Sequence, residues 1–365
     1  MSTVPTLDAI VWSPQCLLPA EGPLSEDVAK RIKKEWGYVP ACMPALGTAP
    51  WLVPDMVDAS LAPYRHVSPR LADLTHLVVA QDSSCRYCYG MSRAMLRMSG
   101  MAESKIRDIE ANLHATDLSA HDKALLAFAR KVARCNPPPG AADFAQMQQL
   151  GVAPGAVAEI AAYVAKTMFM TRSMIMCAEP PAPMEKVAFS PLASLVGMIM
   201  GMRREAKRIT KQDMPLPAAT QAGPFAKLFA PYDGIATAVA LATAVNHAFA
   251  SELLPLRSKL WVTAVVARTA QCHPLEGLCR DWLAQEGLAA SAVARVLDTL
   301  TGPELTEVEA AILPVCRDTV RTQPPVIQPK IAILRNQIAL PHLVEFIATC
   351  GLANGLVRLS CLGPA

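Results

Sequence analysis

The chain has 365 residues, and 34 Lys and Arg against 31 Asp and Glu give it a formal net charge of +3. This small charge comes without a run of basic residues, so composition provides no case for binding nucleic acid. Hydrophobic residues make up 52% of the chain and aromatic residues only 5%, a mixture rich in Ala, Val, Leu and Met that favours packed helices. A chain of this length can hold two domains with cores of their own.

The eleven cysteines are scattered without the regular spacing of a disulfide framework. The first residues lack a charged segment followed by an apolar stretch, so we expect no signal peptide. These features predict a cytoplasmic protein whose thiols are mostly free and buried. The most apolar stretch, Val187–Met202, contains Pro191 and is short for a bilayer, so we expect a buried helix there and no membrane span.

Capping residues, prolines and glycines divide the first half of the chain into predicted helices. These helices begin near residues 25, 51, 69, 83, 102, 119, 141 and 154. Asp82-Ser83-Ser84 is expected to cap the helix over 83–99. No run of alternating β-branched residues bounded by turns competes with this interpretation, so the predicted fold class is all-α.

The chain carries a degraded internal repeat. A shift of 187 positions aligns residues 70–134 with 257–321 without a gap, and Cys85 then falls on Cys272. The last helix of each copy aligns once the shift drops to 186. Similarity at a fixed period indicates a duplicated unit. We therefore expect a duplicated helical domain whose two fused repeats pack as an intramolecular pseudo-dimer.

The predicted domain organisation follows from the repeat. Residues 1–36 form an N-terminal extension, 37–180 the first repeat, 181–221 a linker helix and 222–365 the degenerate second repeat.

Cys85-Arg86-Tyr87-Cys88 is the most informative motif of the chain. Two cysteines one helical turn apart share a face of the helix. The partial positive charge of a helix N-terminus stabilises a thiolate there and lowers the thiol pKa, which suits attack on a peroxide or a disulfide. The alternative is a pair of inert buried cysteines. A four-cysteine zinc site is disfavoured because the chain has no second C-x-x-C.

Further motifs surround this pair at recognisable positions. They are Gly37-Tyr-Val-Pro40, Leu71-Ala-Asp-Leu-Thr-His-Leu-Val-Val-Ala80, Ser84-Cys85-Arg86-Tyr87-Cys88 and Asp122-Lys-Ala-Leu-Leu-Ala-Phe-Ala-Arg130. With them the sequence resembles the alkylhydroperoxidase D and carboxymuconolactone decarboxylase family, in particular its peroxidase-related branch. The resemblance covers residues 37–177 directly and 222–365 through the internal repeat. It implies that the two cysteines reduce hydroperoxides and pass through a disulfide, while an acidic residue and a histidine relay protons.

The chain departs from that family pattern at two positions. The acidic residue, twelve positions before the first cysteine, is Asp73 where a glutamate is usual, and Ser92 occupies the position of the relay histidine. A serine cannot act as a base near neutral pH, so His76, one turn after Asp73, is the candidate substitute. The alternative for His76 is a core or interface histidine. Tyr87 either donates a hydrogen bond to a peroxide oxygen or serves in packing.

The second repeat has Leu275 where the first has Cys88. Soft and imidazole ligands that share a helix face can hold a metal, and the candidates here are Cys272, His273, Glu276 and Cys279. The favoured interpretation is a site that has lost its function and is kept as scaffold, with no metal and no cofactor.

Methionines recur along the helix of the cysteine pair at Met91, Met95 and Met98. Such a stripe is typical of core packing. It would also suit a pocket for an apolar hydroperoxide beside the dithiol.

The favoured functional hypothesis is a thiol-dependent peroxidase or disulfide oxidoreductase, in which Cys88 attacks the peroxide and Cys85 resolves the sulfenate. Its partners would be an organic hydroperoxide or other small-molecule substrate and a dithiol reductant protein, and we expect a homo-oligomer. One alternative is a carboxymuconolactone decarboxylase-like lyase or isomerase without redox chemistry. Another is a non-enzymatic redox sensor or scaffold whose proton relay has decayed.

Overall fold

The structure is a computed structural model that describes residues 6–10, 15–113, 116–188, 223–321 and 323–362. Throughout these residues the chain forms α-helices and short 3₁₀ turns without a strand, which confirms the predicted all-α class. Residues 189–202 of the predicted apolar helix, and the rest of the predicted linker up to 221, lie outside the described residues.

The helices follow one another with short connections. Those of the first half are α1 (Glu26–Trp36), α2 (Met43–Leu46), α3 (Leu52–Ser60), α4 (Pro69–Asp82), α5 (Arg86–Met98), α6 (Glu103–Ala111), α7 (Ala120–Arg134), α8 (Ala141–Gln149), α9 (Pro154–Cys177) and α10 (Met184–Ala188). Those of the second half are α11 (Ala226–Phe229), α12 (Ala236–Ala250), α13 (Leu256–Thr269), α14 (His273–Gln285), α15 (Ala290–Thr299), α16 (Glu307–Arg321), α17 (Pro324–Gln337) and α18 (Leu340–Leu359).

Serine hydroxyls cap several of the helices, as their positions in the sequence predict. Ser25 accepts a hydrogen bond from the Val28 amide at the start of α1, and Ser68 accepts one from the Leu71 amide at the start of α4. Gly37 ends α1 in the left-handed conformation, with φ of 86°. These contacts satisfy backbone groups that a helix end leaves without partners, which is why the predicted bounds agree with the observed ones.

The helix bounds recur at the offset found in the sequence. Each of α4, α5 and α7 begins and ends 187 residues before α13, α14 and α16, respectively. The left-handed residues between helices recur as well, with Ser84 and Gln271 at φ of 53° and 59°. Such agreement is what a duplicated unit would produce. The duplication itself stays a prediction, and superposition of the two halves is its test.

Among the described residues, the two longest helices are α9 and α18, which pack against each other and are largely buried. A Cβ atom on Gly351 would lie 2.7 Å from the Ser173 hydroxyl, and one on Gly355 would lie 2.9 Å from the Ala165 carbonyl oxygen. The two glycines therefore allow the backbones to approach closely. By length and composition, Leu340–Leu362 could also span a membrane, but 83% of its apolar window is buried inside the fold. The described residues thus contain no clear membrane span.

Buried carboxylates fix the neighbouring helices against this central pair. Glu159 of α9 accepts hydrogen bonds from the amides of Arg65, His66 and Val67, at 2.8, 2.7 and 2.8 Å. These contacts hold the segment that leads into α4. Because α4 packs against α5, α7 and α9, they also position the end of α4, where the cysteine motif begins.

Candidate active site around Cys85 and Cys88

Cys85 is itself the N-cap of α5. The chain leaves α4 at Asp82, turns through Ser84 in the left-handed region, and enters α5 with the Cys85 sulfur accepting a hydrogen bond from the Cys88 amide at 3.4 Å. The predicted cap at Asp82-Ser83-Ser84 is therefore wrong. The Asp82 carboxylate instead pairs with Arg134 of α7 at 2.9 Å, which holds the end of α4 in place.

The two thiols of the motif touch each other. The Cys85 thiol donates to the Cys88 sulfur at 2.7 Å, and both cysteines are free. Both are buried, with 1% and 3% of their surface exposed. A disulfide has a sulfur–sulfur distance of about 2.0 Å, so oxidation needs a sulfur displacement of less than about 1 Å.

Burial raises the pKa of the Cys88 thiol well above its ordinary value of 9.0, and the hydrogen bond from Cys85 raises it further. The sequence had predicted the opposite direction from the helix N-terminus. For Cys88 the loss of water around the charged form outweighs the partial charge of the helix end. The resting Cys88 is therefore a neutral thiol, and a nucleophilic Cys88 requires a base.

A cavity of about 280 Å³ opens against Cys88. Its walls come from α1, α3, α4, α5, α9 and α10, with one residue from α2. Five of the six residues predicted for the site line this cavity, and they are Asp73, His76, Tyr87, Cys88 and Ser92. Cys85 does not reach it and lies behind Cys88. A small molecule in the cavity can therefore reach Cys88, whereas Cys85 is in contact with Cys88 and does not face the cavity.

Methionine is the commonest residue type in the cavity wall. The side chains of this type that line it are Met43, Met91, Met95, Met170, Met174 and Met184. Met98, the third member of the predicted stripe, instead packs with Ala94 in a small separate cluster. Thioethers are apolar, polarizable and adaptable in shape, so such a wall suits an apolar ligand rather than a strongly hydrated one.

The hydroxyl of Tyr87 lies 2.5 Å from that of Tyr38. Burial raises the pKa values of both tyrosines, so both hydroxyls stay protonated at neutral pH. Two neutral hydroxyls in contact share one hydrogen bond, which leaves the second proton available to a ligand in the cavity. Tyr38 is a residue of the site that the sequence did not single out.

Lys166 is a second residue that the sequence reasoning missed. Its ammonium group lies 3.7 Å from the centroid of the Tyr163 ring, and both side chains line the cavity although Lys166 is only 5% exposed. The signal was present in the sequence, because Lys166 is one of three charged residues in the otherwise apolar α9. The cavity thus combines its methionines with charged residues, and one of these, Lys166, is held against an aromatic face.

The short helix α10 closes one side of the cavity with Met184. Glu185 pairs with Arg86 at 2.9 Å and sits over Gly90, where a Cβ atom would lie 2.0 Å from its carboxylate. The lack of a side chain at Gly90 therefore lets α10 lie directly on α5 beside the thiols.

The corresponding region of the second half does not form a metal site. Glu276 pairs with Arg268 at 2.8 Å, the Cys272 thiol contacts the Ser360 hydroxyl at 2.9 Å, and Cys279 is fully buried. His273 is exposed at the start of α14. Within the described ranges no group of three or more His, Cys, Asp or Glu is placed to hold a metal ion. These four candidates therefore do not act together as ligands.

Comparison with protein-family models, with curated proteins and with solved structures returned no match for this chain. The resemblance described above therefore depends on the motifs alone, and the functional argument depends on the geometry of the cavity and the thiols.

Proposed function

We propose that the protein is a thiol-dependent peroxidase that uses Cys88 as the nucleophile and Cys85 as the resolving thiol. The observation that carries the proposal is the contact of 2.7 Å between the two sulfurs, of which only that of Cys88 belongs to a residue lining the cavity. A two-step thiol reaction needs one sulfur that the substrate can reach and a second sulfur in contact with the first. The substrate meets the first sulfur, and the second sulfur meets only the first.

The reaction balances with these two thiols and a hydroperoxide. The Cys88 thiolate attacks the terminal oxygen of the peroxide, so that a sulfur–oxygen bond forms, the oxygen–oxygen bond breaks and an alcohol leaves after taking up a proton. Cys85 then attacks the resulting sulfenic acid, which forms the disulfide and releases water. A dithiol protein returns both cysteines to the reduced state by thiol–disulfide exchange.

The first step requires a base because burial keeps Cys88 protonated. Asp73 and His76 line the same cavity, one helical turn apart on α4. An imidazole titrates near neutral pH, so His76 is the residue suited to accept the thiol proton, with Asp73 as its neighbour. The Tyr87 hydroxyl, which lines the cavity, is a donor suited to the departing alkoxide when Tyr38 supplies the proton of the hydrogen bond between them.

The methionine wall favours an organic hydroperoxide over hydrogen peroxide as the substrate. Six thioethers offer contact to an alkyl or aryl group, whereas hydrogen peroxide would exchange water contacts for apolar ones. We therefore expect a lower KM for an alkyl or aryl hydroperoxide than for hydrogen peroxide.

The proposal is tested by following consumption of cumene hydroperoxide by the reduced protein, with dithiothreitol as the electron donor. Cys88→Ser should abolish turnover. In a single-turnover reaction without dithiothreitol, reduced Cys85→Ser should consume one equivalent of hydroperoxide and leave a sulfenic acid on Cys88 that dimedone traps. The matched control is Cys279→Ser, which changes a fully buried cysteine of the second half and should leave turnover intact. Equal rates for Cys88→Ser and the unchanged protein would rule out the proposal.

A redox sensor is the second candidate, and the raised pKa of Cys88 favours it. A sensor would be oxidised once and slowly, without sustained turnover. Many turnovers per dithiol support the peroxidase, whereas a single stoichiometric oxidation supports the sensor. The thiol contact favours either redox function over the lyase alternative, which needs no dithiol.

A further inference from the structure

A second pair of thiols meets far from the cavity. The sulfurs of Cys135 and Cys361 lie 3.5 Å apart, although the residues are 226 positions apart in the chain. Cys135 is the C-cap of α7 in the left-handed conformation, and Cys361 lies in the 3₁₀ turn that follows α18. The contact therefore joins the end of a helix in each half of the chain.

Two arginines surround this pair with positive charge. Arg358 is buried and held in place by hydrogen bonds to the Ala133 carbonyl oxygen at 2.8 and 3.1 Å. The hydrogen bond from Cys361 lowers the pKa of Cys135 to about 7, and the charges of Arg358 and Arg321 act in the same direction. The lowered pKa favours the thiolate of Cys135, which is the reactive form of a thiol.

Cys316 and Cys350 form another thiol pair, within the second half of the chain. Cys135 and Cys361 differ from them in access to solvent. Cys135 is 7% exposed and Cys361 is half-buried, whereas Cys316 and Cys350 are both fully buried. Burial raises the pKa of Cys316, so this thiol stays neutral. Cys135 and Cys361 thus combine a contact between sulfurs, nearby positive charge and partial access to solvent. The pair of Cys316 and Cys350 has only the contact between its side chains.

We propose that Cys135 and Cys361 form a second redox dithiol, which closes into a disulfide by exchange with a low-molecular-weight disulfide of the glutathione type. The bond would tie the end of α7 to the end of α18. It does not depend on the proposed peroxidase, since it uses neither the cavity nor the Cys85 and Cys88 thiols.

The exchange proceeds in two balanced steps. The Cys135 thiolate attacks one sulfur of the small disulfide, forms a mixed disulfide and releases one small thiolate. Cys361 gives up its proton to solvent and attacks the Cys135 sulfur, which closes the protein disulfide and releases the second small thiolate. In total two protein thiols are oxidised and one small disulfide is reduced to two thiols.

The test uses the full-length reduced protein and oxidised glutathione at pH 7.5, followed by alkylation under denaturing conditions and digestion with trypsin. Cleavage after Arg134, Lys166 and Arg358 leaves Cys135 alone in peptide 135–166 and Cys361 alone in peptide 359–365. The expected product is these two peptides joined, with the loss of two hydrogens. Peptides 296–317 and 336–358, which carry the buried control pair, should remain alkylated.

Two variants separate the roles of the cysteines. Cys361→Ala should retain one glutathione on Cys135, since no thiol is left to displace it. Without oxidised glutathione, alkylation of Cys135 by iodoacetamide in the same variant should need a higher pH, because the hydrogen-bond donor is gone. Cys135→Ser should leave Cys361 without an adduct. The proposal is overturned if both thiols stay alkylatable in excess oxidised glutathione or if the unchanged protein keeps a stable adduct on Cys135. It is also overturned if Cys135 joins peptide 269–280, which carries Cys272 and Cys279.

Discussion

The hydroxyl of Ser92 donates a hydrogen bond of 2.8 Å to the carbonyl oxygen of Cys88, one turn earlier on α5. Ser92 lines the cavity, yet its proton is bound to its own helix. The position that holds a relay histidine in the family this sequence resembles therefore has no base here. Proton transfer to and from the thiols must come from other residues.

Replacing Ser92→His should increase peroxide turnover because it places an imidazole one turn from Cys88. General acid–base help is typically worth about two to four orders of magnitude, and imperfect geometry should still give a measurable gain in kcat/KM. Ser92→Ala is the matched control and should change the rate little, since the hydroxyl contacts only the backbone. An unchanged rate in Ser92→His, with both cysteines still reactive, would show that the relay does not limit the reaction.

Asp73→Asn should remove most of the natural turnover if the Asp73 carboxylate supports the residue that accepts the thiol proton in the cavity. His76→Ala should do the same only if His76 accepts the thiol proton, and it should then change the shape of the pH–rate profile. The readout is kcat/KM between pH 5 and 10 for each variant. Alkylation of Cys88 under denaturing conditions controls for loss of the thiol itself. A profile of His76→Ala that matches the unchanged protein would contradict the assignment.

Iodoacetamide should modify the cysteines in a pH order set by their surroundings. Because burial raises the pKa of Cys88 well above 9.0, its thiolate appears only as the pH rises beyond that value. Cys135, whose pKa is about 7, should react near neutral pH. Mass spectrometry of peptides 87–93 and 135–166 reports both rates in one sample. Faster modification of Cys88 than of Cys135 at pH 7 would contradict both assignments.

Lys259→Met should destabilise the protein strongly. The Lys259 ammonium lies 3.2 Å from the Glu345 carboxylate, and both side chains are fully buried. Removal of one partner leaves an uncompensated charge, which typically costs about 3–5 kcal/mol. Urea unfolding of Lys259→Met and of the double variant with Glu345→Gln measures the effect. The double variant should recover much of the lost stability, because neither of its two replaced side chains carries a charge.

The site was predictable to the extent that its contacts are local. Cys85 and Cys88 meet because one helical turn separates them, and Asp73 and His76 share a face of α4 for the same reason. The bounds of α4, α5 and α7 follow from serines, a proline and glycines near their ends. The predicted cap failed because Ser84 adopts a left-handed conformation, so that Cys85 becomes the N-cap and α5 begins at Arg86.

The sequence by itself determined the all-α class, most helix bounds and the thiol pair, since each depends on residues within a few positions of one another. Only the tertiary structure decided that α9 brings Lys166 and two methionines to the cavity and that Tyr38 meets Tyr87. It also decided the raised pKa of Cys88 and the contact between Cys135 and Cys361. The removal of Cys88 from water and the contact between distant thiols depend on which helices pack together. A pattern of neighbouring residues in the sequence does not contain that information.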